Sequence, residues 1–217
     1  MILAIYGAGG LGREIIEILY QMPSQTRWDK IVFIDDTKDG ETLRNFPIYS
    51  FENFKQIYPS ENVEILIAVV EPVYRKLLHD RVKSNGYKLG TLIHPNVHVP
   101  ETTHVGRGVI INAFAIVSCD SHISDNVLMQ RRSVVSHDCY VGENTTLAAD
   151  AALAGFCSVG KNTFLGINVK LKQKTTIGNN TIIGIGSVVT RDLPDGIIAY
   201  GTPAKEVRKN LDGKIFN

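Results

Sequence analysis

The chain has little of what would point to a disulfide-rich, nucleic-acid-binding or membrane-spanning protein. Its 217 residues include three cysteines and one tryptophan, and three cysteines cannot pair completely. The net charge of +1 provides no broad basic field for nucleic acid or an anionic membrane. No apolar run approaches the roughly 20 residues that a membrane helix needs, so no membrane insertion is expected. The apolar start at residues 1–6 has no basic leader, which predicts a cytoplasmic location.

What the chain does have is a six-residue repeat. From Ile93 to Val189, every sixth residue is aliphatic, with no insertion. If about a third of all positions were Val, Ile, Leu or Met, chance would give such a series with a probability on the order of 10⁻⁸. The pattern predicts a hexapeptide-repeat solenoid. The repeat positions are Ile93, Val99, Val105, Ile111, Val117, Ile123, Met129, Val135, Val141, Leu147, Leu153, Val159, Leu165, Leu171, Ile177, Ile183 and Val189.

A second set of residues supports the same register. Two residues before each repeat position from Val105 onward stands a small or β-branched residue, and residues two apart on a strand point to the same face. Cys139 and Cys157 belong to this set, so we expect them to be interior packing residues. Three six-residue sides make an 18-residue triangular coil with strand-like spacing between coils. The residue after each repeat position is often Gly, which suggests that the corner lies there.

The first 90 residues follow a different pattern. Predicted strands at 2–6, 30–34 and 64–70 alternate with helices after Gly12 and over about 72–83, which predicts a small parallel sheet with right-handed crossovers. The fold class is therefore an α/β N-terminal domain with Rossmann-like βαβ units, followed by an all-β parallel β-helix. We expect the domains to span residues 1–88 and 89–205, the second ending in a loop at residues 190–205 that leaves the coil. A tail at 206–217 would form a short helix or a loose end.

A glycine loop follows the first strand. Gly7, Gly9 and Gly12 fit G-x-G-x-x-G between a strand and a helix, where backbone N–H groups can bind a phosphate. Asp35 follows 23 residues after Gly12, where an acid would meet a ribose hydroxyl or a base edge. The simpler alternative is a turn that only packs the strand on the helix. About 85 residues supply one mononucleotide half, which favours a sugar nucleotide over NAD.

One histidine of the solenoid differs from the others. His137 lies two residues after Val135, on the outer surface, followed by Asp138 and with Asp120 one coil below. A carboxylate on one ring nitrogen would leave the other nitrogen to act as a general base, and either aspartate could supply it. Cys119, one coil below, is a weak candidate nucleophile. The remaining histidines are expected to be solvated or capping residues, with His79 on the surface of the second helix.

These residues resemble the PglD/NeuD-like sugar O/N-acetyltransferase family of left-handed β-helix acyltransferases, and the match covers almost the whole chain. The resemblance implies acetyl-CoA as the co-substrate, no metal, a homotrimer, and transfer to the amine of a nucleotide-linked 4-amino-4,6-dideoxy sugar carried by UDP, dTDP or GDP. The stretches that carry it are residues 5–12 (IYGAGGLG), 33–36 (FIDD), 92–95 (LIHP), 133–139 (SVVSHDC), 160–168 (GKNTFLGIN) and 201–205 (GTPAK).

The resemblance also implies roles for individual residues. His137 would remove the amine proton and Asp138 would raise its basicity. The substrate would contact Gly9, Gly10, Leu11, Asp35, Asp36 and Val70. The coenzyme would contact Thr146, Gly155, Ile167, Gly184 and Ile185.

The chain also departs from the family pattern. Leu11 and Thr146 stand where relatives often have histidine, and Val70-Glu71 replaces a common Gly-Asn. Gln130 replaces an asparagine that relatives often carry. Arg131 and Arg132 follow it, and they could bind a substrate phosphate or form a charged exterior.

Three further functions stay open from the sequence. The same histidine could activate a hydroxyl group, giving a sialic-acid-type sugar O-acetyltransferase. A non-catalytic trimeric scaffold that senses a nucleotide is the second alternative. An amino-acid acetyltransferase is a weaker third, because it would leave the glycine loop unexplained.

Overall fold

The computed structural model of the chain describes residues 1–22 and 27–215. The elements of the N-terminal part are β1 Ile2–Tyr6, α1 Gly10–Gln21, β2 Lys30–Ile34, β3 Thr42–Leu43, β4 Phe46–Tyr49, α2 Phe51–Ile57, a 3₁₀ turn Ser60–Asn62, β5 Val63–Ile67, α3 Pro72–Ser84 and β6 Lys88–Leu89. The six strands form one sheet in the order β3-β4-β2-β1-β5-β6, parallel except for the β3–β4 pair. Apolar strand residues and one face of each helix form its core.

Strands β1 and β2 have the bounds that the sequence predicts, and the third predicted strand ends three residues earlier, at Ile67. The hairpin β3–β4 and helix α2 are absent from the prediction, because their apolar residues are too few to show a clear period.

The rest of the chain is a three-sided parallel β-helix, as the repeat predicts. From residue 92 to residue 189, every strand pairing between coils is parallel with an 18-residue offset, and the aliphatic repeat residues fill one continuous core. Face 1 contains β7 Leu92–Ile93, β9 Ile110–Ile111, β12 Leu128–Met129, β15 Thr146–Leu147, β18 Phe164–Leu165 and β21 Ile182–Ile183. Face 2 contains β10 Ile116–Val117, β13 Val134–Val135, β16 Ala152–Leu153, β19 Lys170–Leu171 and β22 Val188–Val189. Face 3 contains β8 His104–Val105, β11 His122–Ile123, β14 Tyr140–Val141, β17 Ser158–Val159 and β20 Thr176–Ile177.

The corners differ from the sequence prediction. From Val105 to Ile183, the left-handed backbone position falls three residues after each repeat residue, and most of its occupants are Asn or Asp, as at Asn126 and Asp138. The glycines that directly follow a repeat residue serve another purpose. A Cβ on Gly142 would lie 2.6 Å from the backbone nitrogen of Lys161 in the next coil, so Gly is required there by close stacking.

The C-terminal segment continues the solenoid, which corrects the expectation of a departing loop and a helical or loose tail. β23, Ile197–Gly201, pairs with β21 on face 1, and β24, Ala204–Lys209, pairs antiparallel with β23. Ile197 and Ala199 are fully buried in the solenoid core, which explains why this segment stays on the face. Phe216 and Asn217 of the predicted tail lie outside the described residues.

The N-terminal domain covers face 1. The outward residues Leu92, Ile110 and Leu128 share a core cluster with Leu11 and Ile15 of α1. The three solenoid residues would be exposed on the β-helix alone. In the structure these three and the two α1 residues are all less than 10% exposed. Burial of apolar surface therefore holds the two parts of the chain together.

A polar ladder, buried at Asn126 and Asn144, holds α3 against the corner between faces 3 and 1. Asn126, Asn144, Asn162 and Asn180 stack one per coil, each side-chain amide donating to the next carbonyl oxygen at 2.9–3.1 Å. Arg75 of α3 is fully buried and donates to Asn126 and to the carbonyls of Ile67 and Val69. Burial lowers the pKa of Arg75 to about 9, while these acceptors compensate the desolvated guanidinium.

The expectation of a surface His79 is wrong. Its side chain is 8% exposed, and Nδ1 lies 2.9 Å from the Asn144 Oδ1. An amide oxygen can only accept, so Nδ1 of His79 is the donor. The sequence could not show this contact because the residues are 65 positions apart.

Candidate active site

His137 lies at the corner between faces 2 and 3, after β13, and its side chain is 46% exposed. Its Nδ1 lies 2.8 Å from Oδ2 of Asp138, whose left-handed backbone turns the carboxylate back toward the ring. Among the described residues no hydrogen bond engages Nε2. A carboxylate on Nδ1 fixes the tautomer that leaves a lone pair on Nε2, which is the arrangement of a general base.

Two residues of the next coil enclose the imidazole. A Cβ on Gly155 would lie 2.5 Å from Cε1 of His137, so only glycine leaves room for the ring. Phe156 packs against the ring in an edge-to-face arrangement, with the ring centroids 5.1 Å apart. The N–H of Gly155 donates to no acceptor within the described residues. The structure thus brings together His137, Asp138 and Gly155, and adds Phe156, which the sequence does not single out.

The other sequence candidates near His137 have different surroundings. Asp138, rather than Asp120, contacts the imidazole, while the exposed Cys119 offers its backbone carbonyl to the Asp138 N–H. The two arginines pair with carboxylates of the same chain, Arg131 with Glu14 and Arg132 with Asp150. These pairs favour the charged-exterior interpretation over a phosphate site.

The glycine loop lies at the carboxyl ends of β1, β2 and β5. A Cβ on Gly12 would lie 2.3 Å from the Gly7 carbonyl oxygen, so the packing alternative is correct for this glycine. Gly9 caps α1 with an extended backbone and open space around it, and no side chain caps the helix. The first N–H groups of α1 therefore stay free to bind an anion at Gly9 and Gly10. Leu11 packs into the core, so it can offer only its backbone.

The two aspartates after β2 both support the loop. Asp35 accepts from the Ala8 N–H at 3.0 Å and from Thr37, and these hydrogen bonds outweigh burial, which acts in the opposite direction, to lower its pKa. Asp36 binds Arg81 at 2.6 Å and Tyr6 at 3.0 Å. Burial also opposes ionisation of Asp36, but hydrogen bonds from the Phe51 N–H, Arg81 and Tyr6 lower its pKa. Both stay ionised at neutral pH.

A cavity of about 450 Å³ opens beside these residues. It is lined by Tyr6, Gly7, Asp35, Asp36, Thr37, Val69, Tyr74 and Leu78. Val70 lies outside this lining, and its carbonyl oxygen accepts from the Thr146 hydroxyl at 2.8 Å. The volume of the cavity lies within the range of small-molecule sites, and the cavity lies where ligands bind in open parallel sheets, at the carboxyl ends of the strands.

Four of the five residues predicted to bind the coenzyme are divided between two corners, and the fifth, Thr146, lies on face 1. Gly155 lies beside His137, whereas Ile167, Gly184 and Ile185 lie at the corner between faces 1 and 2. Ile167 and Ile185 are 47% and 68% exposed, while Gly184 lies beneath the Tyr200 ring. Thr146 is fully buried under the N-terminal domain, so its side chain cannot contact a coenzyme, contrary to the prediction.

The two halves of the predicted site lie apart in one chain. The N-terminal domain covers face 1, and His137 lies at the corner opposite that face, between faces 2 and 3. Residues 1–22 and 27–215 contain no group of three or more His, Cys, Asp or Glu side chains that could hold a metal ion. Their helices are also too short or too polar to cross a bilayer.

Both the N-terminal domain and the solenoid resemble known proteins. Residues 2–82 match the PglD N-terminal domain, and residues 156–191 match the bacterial transferase hexapeptide repeat. The acetyltransferase domain of PglB from Neisseria gonorrhoeae FA1090 is 29% identical over 95% of this chain and 99% of that one, with a TM-score of 0.88. PerB from Caulobacter crescentus, in complex with CoA and GDP-perosamine, is 30% identical over 95% of this chain and 97% of that one, with a TM-score of 0.86.

The chain belongs to the PglD/NeuD-like sugar acetyltransferase family. A curated relative, the GDP-perosamine N-acetyltransferase of Escherichia coli O157:H7, is 32% identical over 119 residues. That match spans 54% of this chain and 53%, or about half, of the relative. The Neisseria domain has also been solved with acetyl coenzyme A.

Proposed function

We propose that the protein transfers the acetyl group of acetyl-CoA to the amine of a nucleotide-linked 4-amino-4,6-dideoxy sugar. The observation that carries the proposal is the His137 imidazole, held at Nδ1 by Asp138 at 2.8 Å and free at Nε2. The E. coli relative is a GDP-perosamine N-acetyltransferase, and the Caulobacter relative was solved with CoA and that sugar nucleotide. We therefore place GDP-linked sugars first, ahead of UDP- and dTDP-linked ones.

The reaction is a direct transfer. The amine nitrogen attacks the thioester carbonyl carbon while Nε2 of His137 takes a proton from that nitrogen. The carbon–sulfur bond then breaks, CoA leaves as its thiol or thiolate, and the sugar carries an amide. The Gly155 N–H, which has no acceptor within the described chain, would stabilise the oxyanion. The buried Cys139 takes no part, because burial raises the pKa of its thiol to about 11.

The substrate reaches His137 from a neighbouring copy of the chain. The glycine loop and the cavity beside Asp35 belong to the domain on face 1, and His137 lies at the opposite corner. A cyclic homotrimer can place the N-terminal domain of one copy beside this corner of the next, closing all three sites by symmetry. The exposed Ile167 and Ile185 would then line the coenzyme cleft from a neighbouring copy.

The product decides between this proposal and its main rival. Purified protein is incubated with acetyl-CoA and a panel of GDP-, UDP- and dTDP-linked 4-amino sugars, together with their 4-hydroxy counterparts and free sialic acid. Mass spectrometry should find one acetyl group on an amino sugar and none on the hydroxy sugars. Acetylation of a hydroxyl alone would establish the O-acetyltransferase alternative, and no transfer with no acetyl-CoA binding would favour a scaffold.

A further inference from the structure

Phe156 is an unusual residue for its position. Its backbone φ is 61°, in the left-handed region, and its side chain is 47% exposed. Of the 12 non-glycine corner residues of the solenoid with this backbone, 8 are Asn or Asp, the side chains that tolerate it best. A bulky aromatic residue is disfavoured there, and its exposed ring gains little from burial. Unfavourable backbone positions of this kind cluster at functional sites. Of the two phenylalanines with this backbone, Phe114 and Phe156, Phe156 is the one that contacts His137.

Phe156 contacts His137 of the preceding coil and Lys174 of the next. The two rings meet edge to face at 5.1 Å, with an interplanar angle of 88°. The Phe156 N–H donates to the His137 carbonyl oxygen at 3.1 Å. From the next coil, Nζ of Lys174 lies 5.7 Å from the centre of the phenyl ring, within the range of a cation–π contact. The ring therefore has a defined place between the two coils.

We propose that Phe156 is a positioning residue, which fixes the plane of the imidazole and covers it with an apolar surface during transfer. Asp138 holds the imidazole at Nδ1, and Gly155 leaves space on one side of the ring. Neither residue prevents the imidazole from tilting about its hydrogen bond to Asp138. An aromatic wall limits that tilt and keeps water from competing with the amine at Nε2. The inference rests on the proposed acetyl transfer.

The decisive variant is Phe156→Asn, because asparagine favours the left-handed backbone. The melting temperature should rise by about 2–4 °C, while kcat should fall by about tenfold or more. The KM for acetyl-CoA should change by less than about twofold, since the ring acts on the base rather than on the coenzyme. A stabilised but slower enzyme is an outcome that a purely structural role cannot produce.

Phe114 provides a matched control. It has the same backbone conformation, φ 60°, and is 68% exposed, but it lies at another corner with no contact to His137. Phe114→Asn should raise the melting temperature by a similar amount and leave kcat unchanged. Phe156→Tyr, which keeps the ring, should retain at least about half of kcat.

Three results would overturn the inference: wild-type kcat in Phe156→Asn, equal losses in both asparagine variants, or a loss in Phe156→Tyr as large as in Phe156→Asn. Failure of the wild-type protein to acetylate any amino sugar would instead refute the proposed function. Size-exclusion chromatography confirms that each variant has the same assembly state as wild type before the kinetic data are compared.

Discussion

The carboxylate of Asp138 holds the imidazole of its own chain neighbour, His137, at 2.8 Å. Both residues lie in the corner between β13 and β14, where the left-handed backbone of Asp138 turns its carboxylate toward the His137 ring. The same turn that closes each coil therefore also orients the proposed base.

Substitution of His137 should reduce kcat more than substitution of Asp138. His137→Ala should lower kcat by about two powers of ten or more, because the general base is lost. Asp138→Asn keeps a side chain suited to the corner but loses the charge, and kcat should fall by about tenfold. Steady-state kinetics test both, with circular dichroism to confirm the fold. Near wild-type activity in His137→Ala would exclude its role.

Gly155→Ala tests whether the space beside the imidazole matters. The new Cβ would lie 2.5 Å from Cε1 of His137, so the ring must move, and kcat should fall by about tenfold or more. In a His137→Ala background the same substitution should have no further effect, because the group it displaces is gone. Equal losses in both backgrounds would show that Gly155→Ala acts by another route.

Gly9 allows a test of the proposed diphosphate position. Its backbone is extended, a Cβ added there would meet nothing within 4 Å, and it caps α1 without a side-chain hydrogen bond. Gly9→Asp should preserve or raise stability, because aspartate is a favourable N-cap. It should also raise the KM for the sugar nucleotide by about tenfold or more, because a carboxylate would repel the diphosphate. Gly9→Ser caps the helix without charge and should raise that KM far less. Equal KM values for the two variants would place the diphosphate elsewhere.

Arg75 should be essential for attaching α3 to the solenoid. Arg75→Leu leaves the acceptors on Asn126, Ile67 and Val69 buried without a donor, so the free energy of unfolding should fall by about 3 kcal/mol or more. Lys76→Leu, at an exposed ion pair on the same helix, should change it by less than about 1 kcal/mol. Urea denaturation measures both, and equal effects would contradict the assignment.

The sequence predicts what depends on local periodicity and misses what depends on packing between domains. The uninterrupted repeat determines the solenoid register, and the spacing around His137 indicates the proposed base. The burial of Thr146 and His79 could not be predicted, because both are covered by residues more than 60 positions away. The β23–β24 hairpin lacks the six-residue period, and Phe156 is distinguished from the other left-handed phenylalanine, Phe114, by its contact with the His137 ring, which only the structure shows. The chemistry itself follows from resemblance.

Mixing two impaired chains tests whether the site is shared between copies. We expect the site to form between His137 of one copy and the glycine loop of another. To test this, His137→Ala and Gly9→Asp chains are unfolded together in equal amounts and refolded. At low substrate concentration, random trimers should show about one quarter of wild-type activity, the fraction of sites with both halves intact. A mixture no more active than the average of its parents would contradict a shared site.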